Sequence, residues 1–196
     1  MRSYTNNHTL CLILLIFIIP FYSYSETLNY IFKSGTDGYN TFRIPSIVTT
    51  SSGVVLAFAE GRKNSSSDSG DIDIVLKRSL DGGNSWGDMI IIRDDGLNVC
   101  GNPSPVIDER NGKIFLLSTW NRGDDTESEI INMKSMDTRR VYVMNSEDEG
   151  LTWSKPKEIT ESVKKPNWTW YATGPVHGIQ IKKGNRKGRM IVACDH

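Results

Sequence analysis

Two short segments of this chain repeat a single pattern. Ser79–Trp86 reads SLDGGNSW and Ser146–Trp153 reads SEDEGLTW. Both fit S-x-D-x-G-x-S/T-W, and each follows a run of β-forming residues. Ser79, Asp81, Gly83 and Trp86 thus correspond to Ser146, Asp148, Gly150 and Trp153. The pattern describes a tight hairpin turn. Ser and Asp side chains accept hydrogen bonds from nearby backbone N–H groups, and glycine supplies a backbone angle that other residues avoid. The tryptophan then folds back as an apolar plug between neighbouring sheets. A calcium loop would be another use of such Asp-Gly pairs, but the oxygen-ligand spacing of an EF-hand is missing. The eight residues therefore read as structural, and no Cys/His cluster has zinc spacing, so no metal or cofactor is expected.

The rest of the chain agrees with an all-β fold. Val54–Glu60, Ile72–Ser79, Lys113–Thr119, Arg139–Ser146, Gly178–Lys182 and Arg189–Cys194 are short runs rich in Ile, Val, Leu or aromatics. Gly, Asn, Asp, Ser or Pro bound each one. Lys155–Lys165 is the best helix candidate. The two turns are 67 residues apart, Asp81 to Asp148. Repeats of this size suggest blades of a β-propeller, which closes with about 4–8 blades. Residues 26–196 would supply about two and a half, so the chain reads as the N-terminal part of a longer protein. Alone it would expose blade faces and strand edges.

Composition narrows the partners. The 196 residues carry 23 basic and 23 acidic side chains, a net charge of +0. A nucleic-acid binder would carry a basic excess or a basic face. The basic run Gly184–Arg189 reads as a solvated hairpin turn. Residues 1–25 stand apart: Leu10–Tyr22 is almost wholly apolar, too short to span a bilayer, and is followed by Ser23-Tyr24-Ser25. This reads as a secretory signal peptide cleaved near Ser25, or as a membrane anchor if uncleaved. The protein is then secreted, periplasmic or cell-surface. Cys100 and Cys194 remain, either as one disulfide or as two free thiols. Asn64-Ser65-Ser66 and Asn167-Trp168-Thr169 fit the glycosylation pattern.

Further segments carry a resemblance. Phe42-Arg43-Ile44-Pro45 resembles the F/Y-R-I-P signature of sialidases (neuraminidases), and the two turns resemble that family's Asp-boxes. Ala59-Glu60-Gly61-Arg62 resembles the E-x-R segment that follows. Asp68-Ser69-Gly70-Asp71-Ile72-Asp73 lies where the family carries its acid/base aspartate. Gly101–Pro105 and Thr173–Gln180 also resemble family segments, so the likeness covers nearly all of Thr27–His196. It implies a six-bladed propeller, of which this chain would carry the first two to three blades. It also implies an exo-α-sialidase that releases terminal sialic acid from glycoproteins, gangliosides and oligosaccharides with retention. No stable protein partner is implied.

The chemistry suits the residues. A sugar carboxylate is a planar anion, and the arginine guanidinium offers it a fixed two-pronged contact. By resemblance Arg43 binds that carboxylate, Arg62 lines the pocket near a ring hydroxyl, and Asn102 faces the N-acetyl arm. By resemblance Asp68 is the general acid and then the general base, on the Ser- and Gly-rich loop NSSSDSGD. On residue type alone Arg43 is a surface charge, Asp68 a solvated loop carboxylate, Arg62 a salt-bridge partner of Glu60 or Asp68, and Asn102 a turn residue. Asp71 and Asp73 compete with Asp68, though Asp73 falls within a β run and Asp71 borders it. The family's tyrosine nucleophile and its glutamate partner are expected outside this chain, and Tyr171 lacks the nucleophile's context. The isolated fragment is expected to be inactive. Two other classes remain open: a sialoglycan-binding propeller without catalysis, and a trans-sialidase.

Overall fold

The computed structural model describes residues 29–196, so the stretch read as a signal peptide lies outside the described residues. Two antiparallel meanders of four strands make up most of it. The first comprises β1 (Thr41–Thr49), β2 (Val55–Arg62), β3 (Ile72–Ser79) and β4 (Ile90–Arg93). The second comprises β5 (Val99–Ile107), β6 (Ile114–Asn121), β7 (Arg140–Ser146) and β8 (Lys157–Glu158), with helix α1 (Glu127–Ile131) between β6 and β7. A single parallel pair, Ile72 with Val99, joins the meanders. Then come α2 (Thr160–Val163) and four two-residue strands: β9 (Ala172–Thr173), β10 (Ile179–Gln180), β11 (Met190–Ile191) and β12 (Cys194–Asp195). β9 pairs with β12, and β10 with β11.

Alternating strand direction creates two functionally different edges. Arg43 lies opposite Glu60, Arg62 opposite Ile72, and Val99 opposite Asn121. The starts of β1, β3, β5 and β7 and the ends of β2 and β6 therefore share one edge. The Asp-box turns follow β3 and β7 and lie at the other.

Both turns form the same hydrogen-bond network. The Ser79 hydroxyl donates to Asp81 Oδ1 at 2.7 Å and accepts from the Gly83 N–H at 2.8 Å. Asp81 accepts the Ser85 N–H at 2.9 Å and its hydroxyl at 2.5 Å. Ser146, Asp148, Gly150 and Thr152 repeat these contacts. Gly83 and Gly150 take φ of 97° and 84°, where a side chain is strained. The second turn also clamps the meanders together. The Trp153 ring stands nearly perpendicular to Phe58 at 5.9 Å, and Arg78 Nε donates to the Glu149 carbonyl at 2.8 Å. Trp153 is thus the expected plug between sheets. Trp86 is half-buried and has no preceding meander to enter among the described residues.

The core lies where the meanders face each other. Leu56, Phe58, Ile74, Leu76, Cys100, Ile114, Leu116 and Met144 form one buried cluster. Burying each large side chain contributes about 1.5–3 kcal/mol. Cys100 lies in this cluster and burial pushes its thiol up to about 12, while Cys194 is exposed. Both are free thiols, so Cys100 and Cys194 are not joined to each other.

Several elements differ from the sequence expectations. β1, β4, β5, β8, β9 and α1 were not anticipated. β1 and β5 contain prolines, which argue against a central strand but are tolerated at a meander's edge or a bulge. Both strands bulge there, with Ile44 and Asn102 at φ 51° immediately before Pro45 and Pro103. Gly174, before Pro175, also has a positive φ (85°). The runs Gly178–Lys182 and Arg189–Cys194 shorten to two-residue strands, and the helix expected over Lys155–Lys165 shrinks to the four residues of α2. Gly184–Arg189 is the expected turn, closed by Lys187 N–H on the Gly184 carbonyl.

The turns make stability acid-sensitive. Hydrogen bonds from Ser85, and then from Ser79, hold Asp81 down at about 2. Burial would raise Asp148, but the Thr152 and Ser146 bonds outweigh it and hold it at about 2 as well. A carboxylate depressed on folding stabilises the fold above its unfolded pKa of about 4, and loses that contribution as pH falls toward 2. Thermal melting between about pH 4 and pH 2 should show a steeper fall in midpoint for the natural chain than for an Asp81→Asn, Asp148→Asn variant. Parallel curves would show that these carboxylates do not set the acid limb.

Candidate functional site

The shared edge holds a cavity of about 250 Å³. Arg43, Ile44, Glu60, Arg62, Asp68, Ile72, Val99, Asn102, Glu127, Arg139, Trp170 and Ala172 line it. All four residues singled out from sequence for chemistry, Arg43, Arg62, Asp68 and Asn102, are there.

Glu60 organises the cavity. Its side chain and that of Arg62 are each only 3% exposed. Arg62 Nε and Nη2 both donate to Glu60 Oε2, at 3.0 and 2.5 Å. Glu60 Oε1 accepts the Asn102 backbone N–H across the seam, at 2.8 Å. A β-carbon on Gly101 would sit 2.7 Å from that oxygen, so only glycine lets β5 come this close. Both expected salt-bridge partners of Arg62 are real, since Nη2 also reaches Asp68 Oδ1 at 2.7 Å. Its Nη1 donates to the carbonyls of Ser66 and Ser67 at 2.7 and 2.8 Å.

Asp68 therefore sits on a loop held from below. The side chains of Arg43 and Asp68 are 43% and 55% exposed, and Arg43 Nη1 donates to Asp68 Oδ1 at 2.9 Å. One carboxylate oxygen thus faces two guanidiniums. The loop base is closed by the Lys63 N–H on the Asp71 carbonyl and by the Gly70 N–H on the Gly123 carbonyl. Gly123 is indispensable there, because a β-carbon would run into the Leu97 carbonyl oxygen.

Asp71 and Asp73 do not line the cavity. Asp73 is fully buried in β3, where the Tyr39 hydroxyl donates to it at 2.6 Å and Lys63 Nζ lies 3.2 Å away. Burial raises its pKa, against the lowering effect of Tyr39 and Lys63. Tyr171 is buried and its ring faces a separate cleft beside Val106 and Met190. Among the described residues, no group of three or more His, Cys, Asp or Glu side chains is arranged to hold a metal. Among them, too, no helix is long and apolar enough to cross a membrane.

Sequence reasoning gave no role to Glu127, Arg139 and Trp170, and it gave Glu60 only that of a salt-bridge partner of Arg62. Arg139 is the least anticipated. Its side chain is buried, stacks on Trp170 at 4.0 Å, and donates from Nε to the Tyr171 carbonyl at 2.9 Å. Burial lowers its pKa to about 10, so it stays charged at neutral pH. Lys164, buried beside it, is lowered to about 8 by burial and then by the Arg139 charge. Its ammonium ties the carbonyls of Arg139 and Thr169 together at 2.8 and 2.7 Å. The sequence cue was a paired arginine at a strand start and an aromatic run, WTWY. Glu127 belongs to α1, whose capping box, Thr126 with Glu129, was legible but not read.

Comparison with known proteins places this architecture. The sheets match those of sialidases, whose fold is the β-propeller. The Hadza microbial sialidase Hz136 superposes with a TM-score of 0.73 and 34% identity, covering 82% of this chain and 33% of that one. A family model described as a BNR repeat-like domain matches residues 53–196. Exo-alpha-sialidase of Aspergillus fumigatus is 36% identical over 176 residues, which is 79% of this chain and 43% of the relative. A sialidase of Bacteroides fragilis is 34% identical, over 77% of this chain and 30% of the relative. The chain belongs to the sialidase (neuraminidase) family with BNR, or Asp-box, repeats. It spans less than half the length of these relatives.

Removing the seam carboxylate should be costly. Glu60→Gln leaves Arg62 buried with Asp68 as its only remaining anion. Breaking a buried pair costs about 3–5 kcal/mol, and the surviving partner puts this case near 3. Denaturant unfolding should show that loss; a change below about 1 kcal/mol would mean that the pair does not hold the seam.

Proposed function

We propose that the protein to which this chain belongs is an exo-α-sialidase that hydrolyses terminal α-linked sialic acids with retention. Its substrates on this reading are sialylated glycoproteins, gangliosides and oligosaccharides. The two meanders are the first two blades of a six-bladed propeller, and β9–β12 open the third. Residues 1–25 direct the protein to secretion, and residues 26–196 belong to the propeller domain. The tyrosine nucleophile and its glutamate lie in later blades.

One observation carries the reading: the Asp68 carboxylate touches both Arg43 and Arg62 within a single cavity. Asp68 supplies an anion to both guanidiniums. A sugar carboxylate offers the same planar charge and takes Arg43 as a two-pronged partner. Asp68, released from Arg43 on a half-exposed loop, takes up a proton from solvent and passes it to the glycosidic oxygen as the bond to the leaving group breaks. In the second step it removes a proton from water. Arg62 is fixed on both sides and stays in place to orient a ring hydroxyl, while Asn102 faces the N-acetyl arm. A neutral tyrosine nucleophile avoids the repulsion that a carboxylate would meet at a carbon already bearing one.

The test is hydrolysis of an aryl sialoside by the full-length protein. Asp68→Ala should lower kcat by about 100-fold or more, the usual worth of a general acid. Arg43→Ala should act mainly on KM, by roughly 10- to 100-fold, for a lost charged hydrogen-bond pair. Near-normal turnover in both variants would overturn the assignment.

A further inference from the structure

Asn102 is held by every polar atom but one. Its N–H donates to Glu60 Oε1 at 2.8 Å, and its carbonyl accepts the Thr173 hydroxyl at 2.6 Å. Its side-chain oxygen accepts twice, from the Thr119 hydroxyl at 2.8 Å and from Arg139 Nη2 at 2.5 Å. The side-chain Nδ2 has no acceptor among the described residues and is not sealed from the cavity.

The two partners of the amide oxygen are not equivalent. A threonine hydroxyl donates or accepts, so Thr119 would satisfy the amide in either orientation. A guanidinium only donates. Arg139 alone therefore decides which end of the amide turns away from the cavity. Arg139 is itself held rigidly, by Asn121 Oδ1, the Tyr171 carbonyl and the Trp170 ring. No carboxylate lies within salt-bridge distance of Arg139 among the described residues. Glu60, Glu127 and Asp68 lie near enough to favour the Arg139 charge, but its hydrogen bonds all go to neutral oxygens.

We propose that Arg139 is a positioning residue that locks the Asn102 amide so that it meets the sugar only as a hydrogen-bond donor. The ligand group at this point of the cavity is then an acceptor oxygen, and analogues offering only a donor there are rejected. The inference rests on the reading of the cavity as a sugar pocket.

The experiment compares aryl sialoside kinetics of the full-length natural protein with those of Arg139→Met, Asn102→Asp and the double variant. An Asp at 102 still accepts from Arg139 and Thr119 but offers the sugar no donor. Each single variant should raise KM about 5- to 20-fold, the worth of about one hydrogen bond, with kcat changed less than about threefold. The double variant should be no worse than Asn102→Asp, since both changes remove one contact. Arg139→Lys, which keeps a donor-only cation, should recover part of the loss. An unchanged KM in Arg139→Met, or losses that multiply in the double variant, would overturn the proposal. If Arg139→Met fails to fold, the charged variant Arg139→Lys and the near-isosteric Thr119→Val replace it. Thr119→Val should leave KM within about threefold, because Arg139 still sets the amide. No hydrolysis of the sialoside by the natural protein would instead sink the sialidase reading. The same variants would then be compared by titrating free sialic acid, with the same fold-changes in Kd expected and the same equality overturning the lock.

Discussion

The carboxylate of Glu60 is the interaction on which the site depends. One of its oxygens takes two N–H groups of Arg62 within its own strand. The other takes the backbone N–H of Asn102 from the neighbouring meander. A single buried anion thereby fixes a guanidinium and sets the spacing of two sheets otherwise joined by one backbone pair at that edge. Arg62, once fixed, carries the loop of Asp68 through the Ser66 and Ser67 carbonyls. Asn102, once fixed, carries the far wall. Ion pairs at exposed positions contribute little, but a buried pair whose guanidinium protons all have acceptors is rigid, and rigidity is what a binding pocket needs.

The molecule keeps its structural turns and its cavity at opposite edges of the sheets. The Asp-box turns are self-contained networks of Ser, Asp and Gly, and the second reaches across to Phe58 and Arg78 of the first meander. The cavity lining shares no residue with either turn. The cavity edge takes the strained and irregular features instead: positive φ at Ile44 and Asn102, two bulges, and the serine-rich loop. For a β-branched residue such as Ile44 that conformation is costly, and it persists where the surrounding structure enforces it.

Much of this was legible beforehand. The paired turns, the all-β character and the strands at Val55–Arg62, Ile72–Ser79, Ile114–Asn121 and Arg140–Ser146 followed from local pattern. The family motifs pointed to Arg43, Arg62, Asp68 and Asn102, and those four do line one cavity. Strands β1 and β5 were missed because Pro45, Pro103 and Pro105 speak against strand in any local reading. Their place at the edge of a meander makes proline harmless, and that place is not written in the segment itself. Arg139 was missed because a paired arginine at a strand start looks like a solvated charge until α1, β9 and Trp170 enclose it.

The sequence by itself determined the turns, because their hydrogen bonds run between residues at most four positions apart and need nothing from the rest of the chain. It likewise determined the strands β2, β3, β6 and β7, through their β-branched and aromatic content. Only the tertiary structure decided that Glu60 would meet Asn102, that Asp73 would be buried on Tyr39 while Asp68 stayed at the cavity, and that Arg139 would face an amide. Those outcomes depend on how two sheets stack, and the stacking is set by apolar side chains from five strands that carry no mark of what they bring together.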